Sequence, residues 1–449
     1  MKKYILYLIY SAVILTSCKK LIEVGTPLNQ LTTEKVFADT SSATAAISGA
    51  YAIFNVSIDP SYNKFLGLYT DELSYTNSAT DIVQFNQSKV APTNQTDFTT
   101  WTNFYTAIYR CNDIITQAQE SATLPAAYVN QLTSEAKFLR AYAYFYLINL
   151  YGHVPLLLTT NVNINAQAAQ TDPNTVYQQI ISDLKDAQQG LSATYIGSGR
   201  VRANKYAAGA LLAKVYLFQN DWPDAAAQST TVINSGLYTP LLPPDTVFLA
   251  NSTETILSFS TINGFITDAP NLIPTSGLPQ YVISTSLLGA FETGDLRKLY
   301  WLQSTLVNGM VYYYPYKYHN STPNTTFPEN LMCLRAGEQY LIRAEAETNG
   351  AGNGINGAIS DLNIIRTRAG LPNYSGATDQ SSLLTAILHE RRVELFMENS
   401  NRFLDLKRSG SINTILSAYK STWKSTADLL PIPQNEITFD NKLIQNPGY

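Results

Sequence analysis

Apolar and small residues recur every three or four positions over most of this 449-residue chain, and they do so in consecutive pairs of segments. That spacing lays one apolar stripe along a helix, and paired stripes must be buried against each other. In residues 126–151 the shared face carries Ala136, Leu139, Ala143, Tyr146, Leu147 and Leu150, and Gly152 stops the segment with Pro155 close behind. Its partner is 173–191, with Asp172 as cap and Pro173 at the first helical position. A second pair joins 203–219 to 223–234. A third joins 331–348, with Ala336, Tyr340, Ala344 and Ala346, to 355–369, with Ala358, Leu362 and Ile365. Single helices are expected over 41–54, 101–119, 382–399, 402–409 and 411–419. Trp101 and Trp222 sit at packing positions and read as core.

Small residues at helix crossings give these pairs a likeness to tetratricopeptide units, whose period is about 34 residues. The copies are unevenly spaced here, so the units are degenerate and interrupted; a plain α-bundle is the alternative. Residues 237–318 break the pattern with Pro, Gly and Thr and short β-like runs at 255–260, 299–302 and 310–314. Residues 75–97 are rich in Asn, Gln, Thr and Ser and read as a long loop, and 428–449 as an extended tail. The expected fold is mainly α: degenerate tetratricopeptide-like helix pairs (about 98–235 and 331–420) with a large irregular, partly β insertion (about 237–330). Residues 41–449 would form one body.

Charged residues make up only 14% of the chain, against a usual level of about 25%. The polar surface must come from amides, hydroxyls and the 30 tyrosines, which outnumber the 17 phenylalanines. Tyrosine offers a flat apolar face and a hydroxyl, which suits wet recognition surfaces as well as cores. The net charge of −4 and the absence of a Lys/Arg block exclude a nucleic-acid partner. His153, His319 and His389 stand far apart, outside metal-ligand spacing, and there is no phosphate loop or nucleophile elbow. No cofactor or metal is expected.

Met1-Lys2-Lys3 followed by the apolar run Tyr4 to Thr16 has the pattern of an export signal, too short to span a bilayer comfortably. It ends in Leu15-Thr16-Ser17-Cys18, which resembles a bacterial lipobox. Residues 1–17 would then be removed, Cys18 acylated, and 18–40 left as a tether; the alternative is an ordinary signal cleaved elsewhere. More than one acyl chain on a cysteine gives stable anchoring. Cys111 and Cys333 are expected to be buried free thiols.

Four segments carry a wider resemblance. They are Ala136-Lys-Phe-Leu-Arg-Ala-Tyr-Ala-Tyr-Phe-Tyr-Leu-Ile-Asn-Leu-Tyr-Gly152 with Pro155-Leu156; Leu341-Ile-Arg-Ala-Glu-Ala346 leading to Leu362-Asn-Ile-Ile-Arg-Thr-Arg-Ala-Gly370; Glu390-Arg-Arg-Val-Glu-Leu395 with Asn401-Arg-Phe-Leu-Asp-Leu-Lys-Arg-Ser-Gly410; and Leu430-Pro-Ile-Pro-Gln-Asn-Glu436 ending in Gln445-Asn-Pro-Gly-Tyr449. In this order, behind a lipobox, the chain resembles the SusD/RagB family of outer-membrane lipoproteins of Bacteroidetes. It departs from the family at Glu398-Asn-Ser-Asn-Arg402 and at Ser409. The resemblance implies a non-catalytic protein, lipid-anchored to the outer membrane and facing the cell surface. Such a protein captures oligosaccharide or polysaccharide and delivers it to a TonB-dependent, SusC-like transporter. A peptide receptor on the same scaffold and, more remotely, a glycoside hydrolase are the rivals.

Sugar binding needs flat faces for C–H surfaces and polar groups for hydroxyls. Outside the helix pairs the candidates are Tyr75 and Asn77 on the first loop, and Tyr281, Trp301, Tyr312, Tyr314 and Tyr316 in the irregular region. Strand alternation would set Tyr312, Tyr314 and Tyr316 on one face; the plain alternative for each is core packing. Asp71 is carried over from the family as a candidate near the corresponding loop. Asp71, Glu72 and Asp295 are the acids near irregular segments. The charges Glu390, Arg391, Glu394, Glu398, Arg402, Asp405 and Arg408 are spaced as a local ladder of ion pairs, Arg391–Glu394, Glu398–Arg402 and Arg402–Asp405, and read as structural.

Overall fold

Eight helices pack one on the next along the chain in the computed structural model, which describes residues 33–55 and 59–449. Among the helices that precede them are α1 (Thr40–Ile53) and α2 (Asp59–Tyr69). The stack itself runs through α3 (Gln95–Glu120), α4 (Ala126–Tyr151), α5 (Pro173–Gly190), α6 (Lys205–Phe218), α7 (Trp222–Ile233), α8 (Ala336–Thr348), α9 (Gly354–Arg368) and α10 (Gln380–Glu394). Helix α11 (Asn401–Arg408) follows the stack. Local chemistry sets the boundaries. The Asp172 carboxylate accepts from Asn174 N ahead of Pro173, and the Asn204 side chain accepts from Tyr206 N and Ala207 N. Gly152 ends α4 with φ +74°, a conformation that glycine adopts without a side-chain clash.

The three helix pairs read from the sequence all pack: α4 on α5, α6 on α7, α8 on α9. Helix α7 also packs directly on α8, so residues 234–335 leave the stack and return to it. Buried alanines at the crossings (Ala207, Ala208, Ala210, Ala213, Ala225, Ala226) let these backbones approach closely. A second, smaller core of Leu341, Leu362, Ile365, Leu383 and Ile387 lies among α8, α9 and α10.

Outside the stack lie the strands β1 (Leu73–Tyr75), β2 (Thr255–Phe259), β3 (Tyr281–Ile283), β4 (Leu302–Val307), β5 (Met310–Pro315) and β6 (Leu331–Arg335). They pair antiparallel as β1 with β3, β2 with β6, and β4 with β5. Four expectations change here. The helix expected from 331 begins as β6, because Leu331-Met-Cys-Leu334 is buried on both faces and lacks a period that separates strand from helix. The supposed loop 75–97 opens with β1 and contains a helix, Thr80–Asn86, and α3 already begins at Gln95. The β-like run 299–302 is the end of a helix, Leu296–Trp301. The extended tail holds α12 (Gln434–Phe439). Helix α2 has no counterpart in the sequence reading.

The local charge ladder is also corrected. Arg391 bonds Asp405 (2.8 Å), Arg402 bonds Asp71, and Glu394 and Glu398 converge on Arg335 from β6. Only the i,i+3 contact Asp405–Arg408 is local. Arg297, Arg335 and Arg368 all reach Glu394. Burial alone would push that carboxyl up, but the three guanidiniums hold it far below the ordinary range. The charges thus clamp α10 to the insertion. Cys111 is a buried free thiol, pushed by burial up to about 12, and Cys333 is buried as well. Cys18 lies outside the described residues. No helix among the described residues is long and apolar enough to cross a membrane.

Candidate functional site

The paired strands place the sequence candidates in one neighbourhood. In the β1–β3 pair Tyr75 stands opposite Tyr281, their ring centroids 5.4 Å apart, and β3 packs against β5. The β4–β5 hairpin turns at Asn308-Gly309, both with positive φ, and carries the tyrosine run back from its tip.

Three candidates are withdrawn from solvent. Asp71 is 1% exposed and gripped by Arg392 and Arg402, with Ser286 Oγ donating to it at 3.0 Å. Burial would raise its pKa, but the guanidiniums hold it below the ordinary value. Trp301 is fully buried: its indole N–H donates to Pro244 O at 2.7 Å, and the Lys317 ammonium lies 4.4 Å from its ring. Tyr281 is 1% exposed, with Lys64 Nζ 5.3 Å from its ring centre. These side chains present no face to a ligand in this structure.

The others reach the surface. Asn77 is exposed, its Oδ1 accepting from Ser78 N, and Tyr75 is half-buried with Gln280 Nε2 donating to its hydroxyl at 3.2 Å. Tyr312 is half-buried on β5. Tyr314 is nearly buried and meets Tyr316 edge to face at 6.2 Å; both lie outside the main aromatic core. Tyr316 then stacks on His319, centroids 4.4 Å apart and planes 13° apart. Sequence reasoning had considered His319 only as a metal ligand and had passed over it; its position three residues beyond the tyrosine run was the available signal. Burial lowers its pKa below the ordinary imidazole value, which favours the neutral ring.

A stiff loop backs this row. His319 N and Asn320 N donate to the Glu329 carboxylate at 2.7 and 3.0 Å, and Asn320 Nδ2 donates to Gly264 O and Phe327 O. Burial pushes Glu329 up to about 7. Phe327, also missed from sequence, is held 63% exposed on this loop, beside the loop carrying Ile262, which is 96% exposed. Beneath the row, a cavity of about 30 Å³ bounded by Asn63, Asp268, Lys317 and Met397 has room for about one water. A cavity of that size has no room for a sugar ring. No group of three or more His, Cys, Asp or Glu among the described residues is placed to hold a metal.

Comparison with known proteins agrees with this architecture. Residues 300–449 match the SusD family model, and residues 30–217 match a model described as "Starch-binding associating with outer membrane". SusD-like protein P2 of Formosa agariphila is 28% identical, with all of both chains covered. A SusD superfamily protein from Bacteroides vulgatus superposes with a TM-score of 0.81 at 20% identity, covering 92% of this chain and 100% of the other. A laminarin-binding SusD-like protein superposes with a TM-score of 0.77 at 26% identity, over 92% and 100%. Order of motifs, helix stack and matches together lead to one assignment: the chain belongs to the SusD/RagB family.

Proposed function

We propose that this chain binds glycans at the outer membrane without catalysis and hands them to a TonB-dependent, SusC-like transporter. The observation that carries the reading is the row Tyr314–Tyr316–His319, a neutral aromatic surface set off from the core and backed by a braced loop. Flat neutral rings stack on sugar C–H faces, and the Tyr75 hydroxyl on the adjoining strand pair and Asn77 just past its end are there to meet hydroxyls. The laminarin-binding neighbour and the starch-binding description of the matched model support the ligand class. Glycoside hydrolysis uses two carboxyl groups flanking the scissile bond. Asp71 and Asp295 are each buried and bonded to arginine, which favours binding alone. Acylation at Cys18 would tether this body to the membrane.

The test is calorimetric titration of the purified chain in mild detergent with laminari-, malto- and xylo-oligosaccharides and with a mixed peptide panel. At least one glycan should bind, and Tyr316→Ala with His319→Ala should weaken it by about tenfold or more, with an unchanged melting temperature. Binding of peptides and of no glycan would overturn the reading.

A further inference from the structure

A second aromatic groove lies on other elements. Trp101, Tyr105 and Tyr109 follow one another at i, i+4 and i+8 on α3, so successive rings rise by about 6 Å along one face. Trp101 is the floor, 2% exposed, with its ring 5.0 Å from that of Tyr105. Tyr105 is half-buried and Tyr109 is 51% exposed, so the stripe climbs from the floor to the rim. The opposite walls are residues 157–165 and α12.

The volume, about 360 Å³, is that of a small-ligand site rather than of a docked helix or protein surface. The lining chemistry narrows the ligand further. No lysine or arginine faces the groove, and its one carboxylate, Glu436, is engaged by the Trp101 indole. The remaining polar side chains are neutral: Thr102, Thr106, Asn112, Thr159 and Asn165, with the tyrosine hydroxyls. The Asn165 amide N–H donates to Thr159 O at 2.8 Å, which fixes the side chain. Charged ligands find no counter-charge here, and the neutral hydroxyls and amides beside the rings suit a neutral polar ligand.

We propose that this α3 groove is a second carbohydrate site, binding a short neutral oligosaccharide with Tyr105 and Tyr109 as the stacking faces. Two sites on one body would hold a polysaccharide at two points, and the second contact would be intramolecular, raising apparent affinity for long chains over short ones.

The test starts from the Tyr316→Ala/His319→Ala chain, which disables the first surface. Laminarihexaose, maltohexaose and xylohexaose are titrated into it, followed by calorimetry and by tryptophan fluorescence. Residual binding of at least one sugar is expected. Adding Tyr109→Ala should weaken that binding about tenfold, equivalent to about 1.4 kcal/mol, with the melting temperature unchanged. Because Tyr109 is a rim residue, its loss does not threaten folding. Absence of residual binding, residual binding indifferent to Tyr109→Ala, or Tyr109-dependent binding of peptides alone would each overturn the proposal. Failure of the first surface would instead show in the starting chain, as sugar affinity unchanged from wild type.

Discussion

Arg402 grips Asp71 through two hydrogen bonds, Nε to Oδ1 at 2.7 Å and Nη2 to Oδ2 at 2.9 Å, joining the turn after α2 to the start of α11. Arg392 adds a third contact to the same carboxylate at 2.8 Å. A residue carried over as a ligand contact is thus a structural tie between distant parts of the chain.

Asp71→Ala leaves two largely buried guanidiniums without their shared carboxylate. A loss of about 3–5 kcal/mol is expected from urea unfolding at pH 7. The folded pKa is lowered, so this contribution is present above the unfolded carboxylate range near pH 4 and fades as pH falls through the folded value. The stability gap between wild type and variant should narrow in acid; a gap independent of pH would sink the assignment.

Glu72 gives the opposite pH signature. It is 2% exposed, its Oε1 has no hydrogen-bond partner among the described residues, and burial followed by the neighbouring Asp71 pushes it up to about 7. An acid raised on folding destabilises once ionised, so the penalty is absent below about pH 4 and complete above about pH 7. Glu72→Gln should raise the melting temperature at pH 8 and change it little at pH 4. Thermal scans over this range check the sign.

Trp301→Phe separates support from contact. The variant loses the indole N–H that reaches Pro244 O and part of the packing against Phe248 and Phe396. About 1–3 kcal/mol of stability should go, from the unpaired carbonyl and the cavity. Intrinsic glycan affinity, measured on the folded fraction, should stay within about twofold.

Gly264 is the hinge on which the loop backing His319 rests. It has φ +74°, its carbonyl accepts from Glu329 N and Asn320 Nδ2, and a Cβ there would collide with Asn324 O. Gly264→Ala should shift that loop, lower the melting temperature and weaken glycan binding together. An alanine variant with wild-type binding would show that the loop does not position His319.

Much of this molecule is local in origin and was readable from sequence. The helical spacing of Ala136, Leu139 and Ala143 marks α4, and Asp172-Pro173 and Gly152 punctuate the helices through their own backbone preferences. Family membership was legible for the same reason, because its motifs are contiguous. Other features depend on partners far away in the chain. Leu331–Leu334 became a strand because β2 stood beside it, and Glu394 and Glu398 found arginines on β6 and on the helix preceding β4 rather than Arg391 and Arg402. Trp301 packed inward against Phe248 and Phe396, and Tyr281 against Tyr75, while Tyr316 met His319 at the surface. Periodicity records which residues share a face of one element; whether that face meets solvent or another element is fixed only when the distant segments pack.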